Sequence, residues 1–228
     1  MPKIDELFIE MERRSSVILE KLKNNHVGEN CKRELKRKFS VVEASNLVGR
    51  NRETIRITED QGKVLKPEVD KNGRRIGYSL EEINKLRQYF KTLPWRHDDD
   101  ETCILSIQNF KGGVAKTALS THLAQYLAIQ GYRVLLIDCD SQATATSAFG
   151  YLPDTDFTEE NTLYPFFVGE QNDLNYAIQK TNWDGLDLIP ACLMLYGVEY
   201  HLAGVQARST DNKYKIYQQL SLGIETIK

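Results

Sequence analysis

The chain has 228 residues, 41% of them hydrophobic and 27% charged, with a formal net charge of −2. That is enough apolar material for a folded core, which excludes wholesale disorder, and no apolar run approaches the ~20 residues of a membrane-spanning helix. The near-neutral sum hides a division: residues 1–30 carry net −1, residues 31–96 net +8 and residues 97–228 net −9, so modules with different partners are expected, the basic one attracting an anion such as nucleic acid.

The N-terminus, MPKIDELFIEMERR, is charged and lacks the apolar stretch of a signal peptide. In residues 1–30, Ile4, Phe8, Met11, Ser15, Ile18 and Leu22 alternate at spacings of four and three, a heptad seam broken by one serine. Asn24, Asn25 and Gly28 end it. The pattern fits a helix packed on its own domain and equally a helix that pairs with a second copy, since about three heptads is short for a coiled coil.

Residues 31–96 begin with the basic run Lys32 to Lys38. Ser40 and Glu43 form a capping-box pattern after Phe39, which predicts a short helix that Gly49 stops. Small Ser45 and permissive Gly49 suit a tight crossing into a second helix capped by Asn51. Ile55 then faces inward, and Arg52, Thr54 and Arg56 are candidates for a major groove or its phosphates. Asn72-Gly73 predicts a hairpin within Val64–Ile76, with Lys71, Arg74 and Arg75 at its tip. A second box at Ser79 and Glu82 opens a helix to about Lys91, with Leu80, Ile83, Leu86 and Phe90 on one face. Helix, helix, basic hairpin, helix is similar to a MerR-type winged helix-turn-helix, and the stretch RRIGYSLEEINKLR carries that resemblance best. A small basic domain that binds protein is the competing reading. Leu93-Pro94-Trp95-Arg96 stops the helix, and residues 97–101 form an acidic linker.

In residues 102–228, Cys103–Ile107 is a short apolar run that predicts a buried parallel strand. It leads into Lys111-Gly112-Gly113-Val114-Ala115-Lys116-Thr117, then a helix through Leu119, Leu123 and Leu127 to Gly131, then a second buried strand, Arg133–Ile137. Strand, glycine loop with Lys-Thr, helix and strand is the setting of a phosphate-binding loop. Backbone amides and the helix N-terminus face an anion, Lys116 would neutralise the β and γ phosphates, and Thr117 would ligate Mg²⁺. That local field explains how an acidic domain can hold a polyphosphate. Cys31, Cys103, Cys139 and Cys192 are scattered with no CxxC pair, which argues against a disulfide framework or zinc site and for a reduced, cytoplasmic setting.

Ala115 stands where the ordinary loop has its last glycine, and Lys111 stands in front. K-G-G-x-x-K-[ST], followed by Asp138-Cys139-Asp140-Ser141-Gln142 as D-x-D-x-Q, resembles the ParA/MinD superfamily of dimeric ATPases over roughly residues 102–205. Gly185–Ala191 is similar to that family's third strand. With the N-terminal module, the chain most resembles the large plasmid-partition ParA ATPases. The expected fold is an α/β P-loop parallel-sheet domain (incomplete), preceded by an all-α, winged DNA-binding domain and an N-terminal helix.

The resemblance implies ATP and Mg²⁺ as cofactors, with Lys111 to Ala118 (Val114 included) around the nucleotide. It implies a homodimer in which Lys111 reaches the partner's phosphates. Asp138 would orient or deprotonate water, and Thr117 and Asp140 would support Mg²⁺. Operator DNA, non-specific DNA and a ParB-like centromere-binding protein are the implied partners, with no membrane and a nucleoid-associated location. Ser141 and Ala118 depart from the Pro and the second hydroxyl residue often found there, and helix capping is the alternative role for Asp140. The family's third nucleotide motif, an apolar strand ending in Asp, has no counterpart after Asp138, so the chain reads as a fragment that binds nucleotide weakly and hydrolyses little. Three parallel strands with an unpaired edge are expected. Competing functions are a repressor switched by nucleotide without significant hydrolysis, and a MinD-like cargo-positioning ATPase.

Overall fold

A computed structural model describes residues 9–11, 13–18, 21, 35–94, 102–208 and 215–227. The chain forms two compact units, Met1–Arg33 and Glu34–Lys228. In the first, the described residues are helical. Arg13 and Arg14 both reach Glu10, at 3.0 and 2.8 Å, across one helical turn. Met11 and Ile18 of the heptad seam are exposed, while Ile4, Phe8 and Leu22 lie outside the described residues.

The second unit opens with three helices. In α1 (Val41–Val48) the capping box forms as the spacing predicts: Glu43 N–H donates to Ser40 Oγ, and Ser40 N–H donates to Glu43 Oε2 at 2.8 Å. Such caps contribute ~1 kcal/mol each. Gly49 ends α1 at φ +68°, a left-handed geometry that suits glycine. Ser45 hydroxyl donates to Arg50 carbonyl at 2.6 Å, which closes the turn. Thr54 N–H donates to Asn51 Oδ1 at 2.7 Å and starts α2 (Arg52–Asp60). The hairpin is a tight turn in which the amides of Asn72 and Arg74 donate to Asp70 Oδ1 at 2.9 and 2.8 Å, and Val69 bridges Arg75. An antiparallel bridge joins Phe39 to Tyr78 before α3 (Leu80–Phe90), whose Ser79–Glu82 box also forms. Phe39, Ala44, Val48, Ile55, Tyr78, Leu80, Ile83 and Leu86 make one buried cluster.

The remainder is a small α/β arrangement. Helix α4 (Lys116–Gln130) leads through Gly131, at φ +95°, to β1 (Val134–Ile137). Then come α5 (Thr144–Ala148), α6 (Pro153–Asp156), α7 (Tyr164–Val168), β2 (Gln179–Lys180), β3 (Leu186–Ile189), α8 (Tyr196–Arg208) and α9 (Lys215–Glu225). The sheet order is β1-β3-β2. Strands β1 and β3 run parallel, with Val134 opposite Leu186 and Ile137 opposite Ile189, and β2 runs antiparallel to β3. The apolar runs Val134–Ile137 and Leu186–Ile189 therefore behave as the crossover through α5–α7 requires.

The predicted strand at Cys103–Ile107 does not form. The run has no regular secondary structure and no strand partner among the described residues, and Ile104 and Leu105 are 51% and 62% exposed. An apolar run becomes a strand only where a neighbour accepts its ladder, and among the described residues β1 is paired only to β3. The sheet accordingly has one parallel pair and a short antiparallel edge, not three parallel strands.

Helix α9 docks through a glycine. A Cβ at Gly223 would lie 2.5 Å from the ring of Phe166, which is buried in the second-unit core. Leu220, Ile224 and Ile227 pack on the same cluster. Gly223→Val is expected to lift α9 from α7 and to lower stability by about 1–3 kcal/mol. A thermal melt unchanged from the parent, with no new protease cleavage near residue 223, would contradict that contact.

Candidate nucleotide and nucleic-acid sites

The glycine loop is built as an open cradle. Lys111 N–H donates to Asn109 Oδ1 at 2.9 Å, within the turn that opens the loop. Gly113 at φ +72° and Ala115 at φ +62° turn it again into α4. The alanine takes that left-handed geometry with a Cβ, a strained choice worth roughly 1–2 kcal/mol. A Cβ at Gly112 or Gly113 would meet nothing within 4 Å. These glycines therefore do not make room for protein, and the space beside their backbone is available to a ligand. Lys116 folds over the loop, its Nζ donating to Lys111 carbonyl at 3.3 Å. No side chain caps the start of α4, so the first-turn amides of Lys116, Thr117 and Ala118 are donors facing an anion site. Val114 and Ala118 are exposed, and Thr117 is half-buried. His122, whose Nδ1 lies 2.7 Å from Ala118 carbonyl, is an ordinary helix residue.

The two aspartates after β1 differ in kind. Asp138 is 5% exposed, and its carboxylate accepts from Asp140 N–H at 3.2 Å, Thr146 N–H at 2.9 Å and Thr146 hydroxyl at 2.7 Å. Thr146, fully buried, also accepts from Ala191 N–H at 3.0 Å. Asp138 thus caps α5 from the preceding strand and ties the ends of β1 and β3 together. Burial pushes its carboxyl above the usual carboxylate range, while these hydrogen bonds pull the other way. Asp140 is exposed and uses only Oδ1 locally, accepting from Gln142 N–H at 3.0 Å. It does not cap α5, whose N-cap is Ala143. The resemblance gives Asp138 the water-orienting role and Asp140 the Mg²⁺ shell; in the structure the Asp138 oxygens accept hydrogen bonds from inside the protein, and Asp140 is the carboxylate open to solvent. Thr146 escaped sequence reasoning because an eight-residue separation matches no local motif.

Among the described residues no group of three or more His, Cys, Asp or Glu is placed to hold a metal. A divalent ion here would take one or two protein oxygens and the rest from phosphate and water, the usual habit of Mg²⁺.

On the basic segment, Arg52 and Arg56 are exposed along the outer face of α2, beside Glu53 and Ile57, whereas Thr54 is half-buried at the cap. Lys71 and Arg74 are exposed at the hairpin tip. Arg75 has a different task. Its Nη1 lies 2.7 Å from Glu59 Oε2, a carboxylate with no exposed side-chain surface. That oxygen receives the charge contact without an aligned hydrogen bond. Tyr78 hydroxyl donates to Glu59 Oε1 at 2.6 Å, and burial with this carboxylate pushes the phenol well above its ordinary range. Arg75 neutralises a buried acid that fixes the hairpin to α2. Lys38, Arg56 and Arg75 line one cleft with Tyr78.

No described helix is long and apolar enough to cross a membrane. Residues 102–222 match a family profile described as an AAA domain, AAA_31. The chain is 42% identical over 176 residues to Protein SopA of Escherichia coli K12, covering 75% of this chain and 45% of SopA. It is 42% identical over 106 residues to the chromosome partitioning protein ParA of Caulobacter vibrioides, covering 46% of this chain and 38% of that protein. The chain thus spans about half the length, or less, of these curated relatives. A solved structure titled Partition Protein shares the fold, with a TM-score of 0.52 at 14% identity over 96% of this chain and 62% of that one. The loop, its helix and the parallel pair behind it, together with the profile match over residues 102–222, place the chain in the AAA_31 family of ParA-type domains.

Proposed function

We propose that the chain is a nucleotide-dependent DNA-partitioning protein of the ParA type that binds ATP with Mg²⁺ at Lys111–Ala118 and binds operator DNA through a winged helix-turn-helix at residues 31–96. The observation that carries this reading is the uncapped N-terminus of α4 behind an open double-glycine turn, with one lysine folded over it and a second in front. Amide donors, a helix dipole and two cations are what a triphosphate requires. Thr117 would offer its hydroxyl to Mg²⁺, which when bound shields the phosphate charge. Asp140, at the exposed end of the D-x-D turn, would hold water or the ion's outer shell. Lys111, exposed and unneeded by the fold, is free to reach the phosphates of a second copy.

Equilibrium dialysis of the chain against labelled ATP with Mg²⁺ tests the site. Saturable binding is expected, with little turnover by the isolated chain. Absence of binding up to roughly 1 mM, the upper end of ordinary substrate affinities, would remove the reading.

The DNA reading rests on exposed Arg52, Arg56, Lys71 and Arg74 around one helix face and one turn. Autorepression of partition genes and stimulation by a ParB-like partner follow from the same proposal. Arg74→Ala is expected to reduce the salt dependence of DNA binding by about one counterion and to leave stability within ~0.5 kcal/mol. Arg75→Ala is expected to lower stability by about 2–3 kcal/mol, because it strands the Glu59 carboxylate; partial exposure of Arg75 keeps the loss at the lower end for a buried pair. Fluorescence anisotropy over a salt series and urea unfolding separate the two. Equal stability losses in both variants would contradict the assignment.

A further inference from the structure

Arg87 is among the most buried large side chains, at 1% exposure, and no carboxylate pairs with it among the described residues. Among the described residues its guanidinium donates to carbonyl-type oxygens: Nε to Leu47 carbonyl at 3.0 Å, Nη1 to Asn84 Oδ1 at 2.7 Å, and Nη2 to Ile129 carbonyl at 2.8 Å. Leu47 lies in the last turn of α1, and Ile129 in the last turn of α4. Each helix end presents unpaired carbonyls and about half a negative charge, so one cation caps two helices at once. The fit leaves no room for a side chain at Gly131, where a Cβ would stand 2.8 Å from Nη1. Asn84 extends the contact, its Nδ2 donating to Asp184 Oδ2 at 2.6 Å just before β3. Ile129 and Trp183 pack on the three-helix core beside it.

We infer that Arg87 is the positioning residue that couples the phosphate loop to α2, the helix that carries Arg52 and Arg56; this rests on the nucleotide and DNA readings above. The 15 residues of α4 begin at Lys116, in the loop, and end at Ile129-Gln130, on Arg87. A helix of that length is a stiff rod of ~22 Å, so a first turn that tightens on a phosphate moves the far end as a body. That end is tied through one guanidinium to Leu47, four residues before Asn51, the residue that launches α2. Apolar packing alone would hold the two parts together, but it would tolerate sliding. Three directional bonds from a planar cation fix register, which is why Arg and not Lys suits the position.

Hydrogen exchange of the whole chain, with and without ATPγS and Mg²⁺, tests the coupling. In the wild type, nucleotide is expected to slow exchange at 111–118 and also at least about threefold at 47–60. In Arg87→Met the first effect is expected to remain and the second to vanish. Gly131→Ala, which displaces the guanidinium from the opposite side, and Arg87→Lys, which cannot span three acceptors, are expected to act alike and serve if Arg87→Met does not fold. Nucleotide-dependent protection at 47–60 that survives in the variants overturns the proposal. So does its absence in a wild type whose loop is protected. A wild-type loop that shows no protection overturns the nucleotide reading itself, and the coupling with it.

Discussion

Lys116→Ala is expected to weaken nucleotide binding roughly 100-fold while leaving the fold intact. The lysine is the cation that the loop already folds inward, and among the described residues its ammonium makes one hydrogen bond, a long one of 3.3 Å to Lys111 carbonyl. Losing that contact in a half-exposed position changes stability by no more than ~0.5 kcal/mol. With a triphosphate in place, the same ammonium makes charge-assisted bonds to oxygens that are shielded from water by the first turn of α4. Removing it strands that charge and costs about 3 kcal/mol, or two decades in affinity. Thermal stabilisation by ligand provides the measurement. At a nucleotide concentration of 100 times the wild-type Kd, the parent gains ~2.7 kcal/mol, whereas a 100-fold weaker variant gains only about 0.4 kcal/mol. Equal shifts in the two proteins would mean that nucleotide, if it binds, binds elsewhere. A variant already destabilised without ligand would mean that Lys116 serves the fold instead.

The helices of the basic segment were legible in the sequence because their signals are local. Ser40 with Glu43, Asn51, and Ser79 with Glu82 each specify a helix start within four residues, and all three caps form. The loop and its helix were legible for the same reason. What failed was what depends on partners distant in the chain. Apolarity at Cys103–Ile107 states that a strand would be buried if paired, not that a neighbour is there to pair with it. Arg75 and Arg74 are adjacent and equally basic, yet one points to solvent and the other onto Glu59, sixteen residues earlier. Arg87 sits in a helix that looks amphipathic and ordinary, and nothing within a turn of it announces two helix ends contributed from residues 47 and 129. Charge arithmetic picks out the basic segment, but it does not foresee that Arg75 and Arg87 make contacts inside the protein.

Asp138→Ala is expected to lower stability by about 3 kcal/mol, and Asp140→Ala to change it by less than ~1 kcal/mol and instead to weaken the Mg²⁺-dependent part of ATP binding. The difference follows from where the hydrogen bonds go. Asp138 satisfies three donors, two of them on fully buried Thr146, and an unsatisfied buried donor costs roughly 1–3 kcal/mol. Truncating it also uncaps α5 and loosens the link through Thr146 to Ala191, where β3 ends. Asp140 loses one exposed turn contact, with Gln142. The pH dependence carries a second signature. Because burial raises the Asp138 pKa in the folded chain above its unfolded value, the stability this group contributes is fully present below the unfolded pKa and declines as pH rises through the folded one. The advantage of wild type over Asp138→Asn should therefore shrink from the acid side of the carboxylate range toward neutrality, an effect a freely solvated aspartate would not produce. Urea unfolding over that pH range, with ATP binding measured with and without Mg²⁺ on the same samples, decides between the two residues. An Asp138→Ala protein as stable as its parent, yet without Mg²⁺-dependent ATP binding, would give the site role to Asp138 and leave Asp140 with the turn.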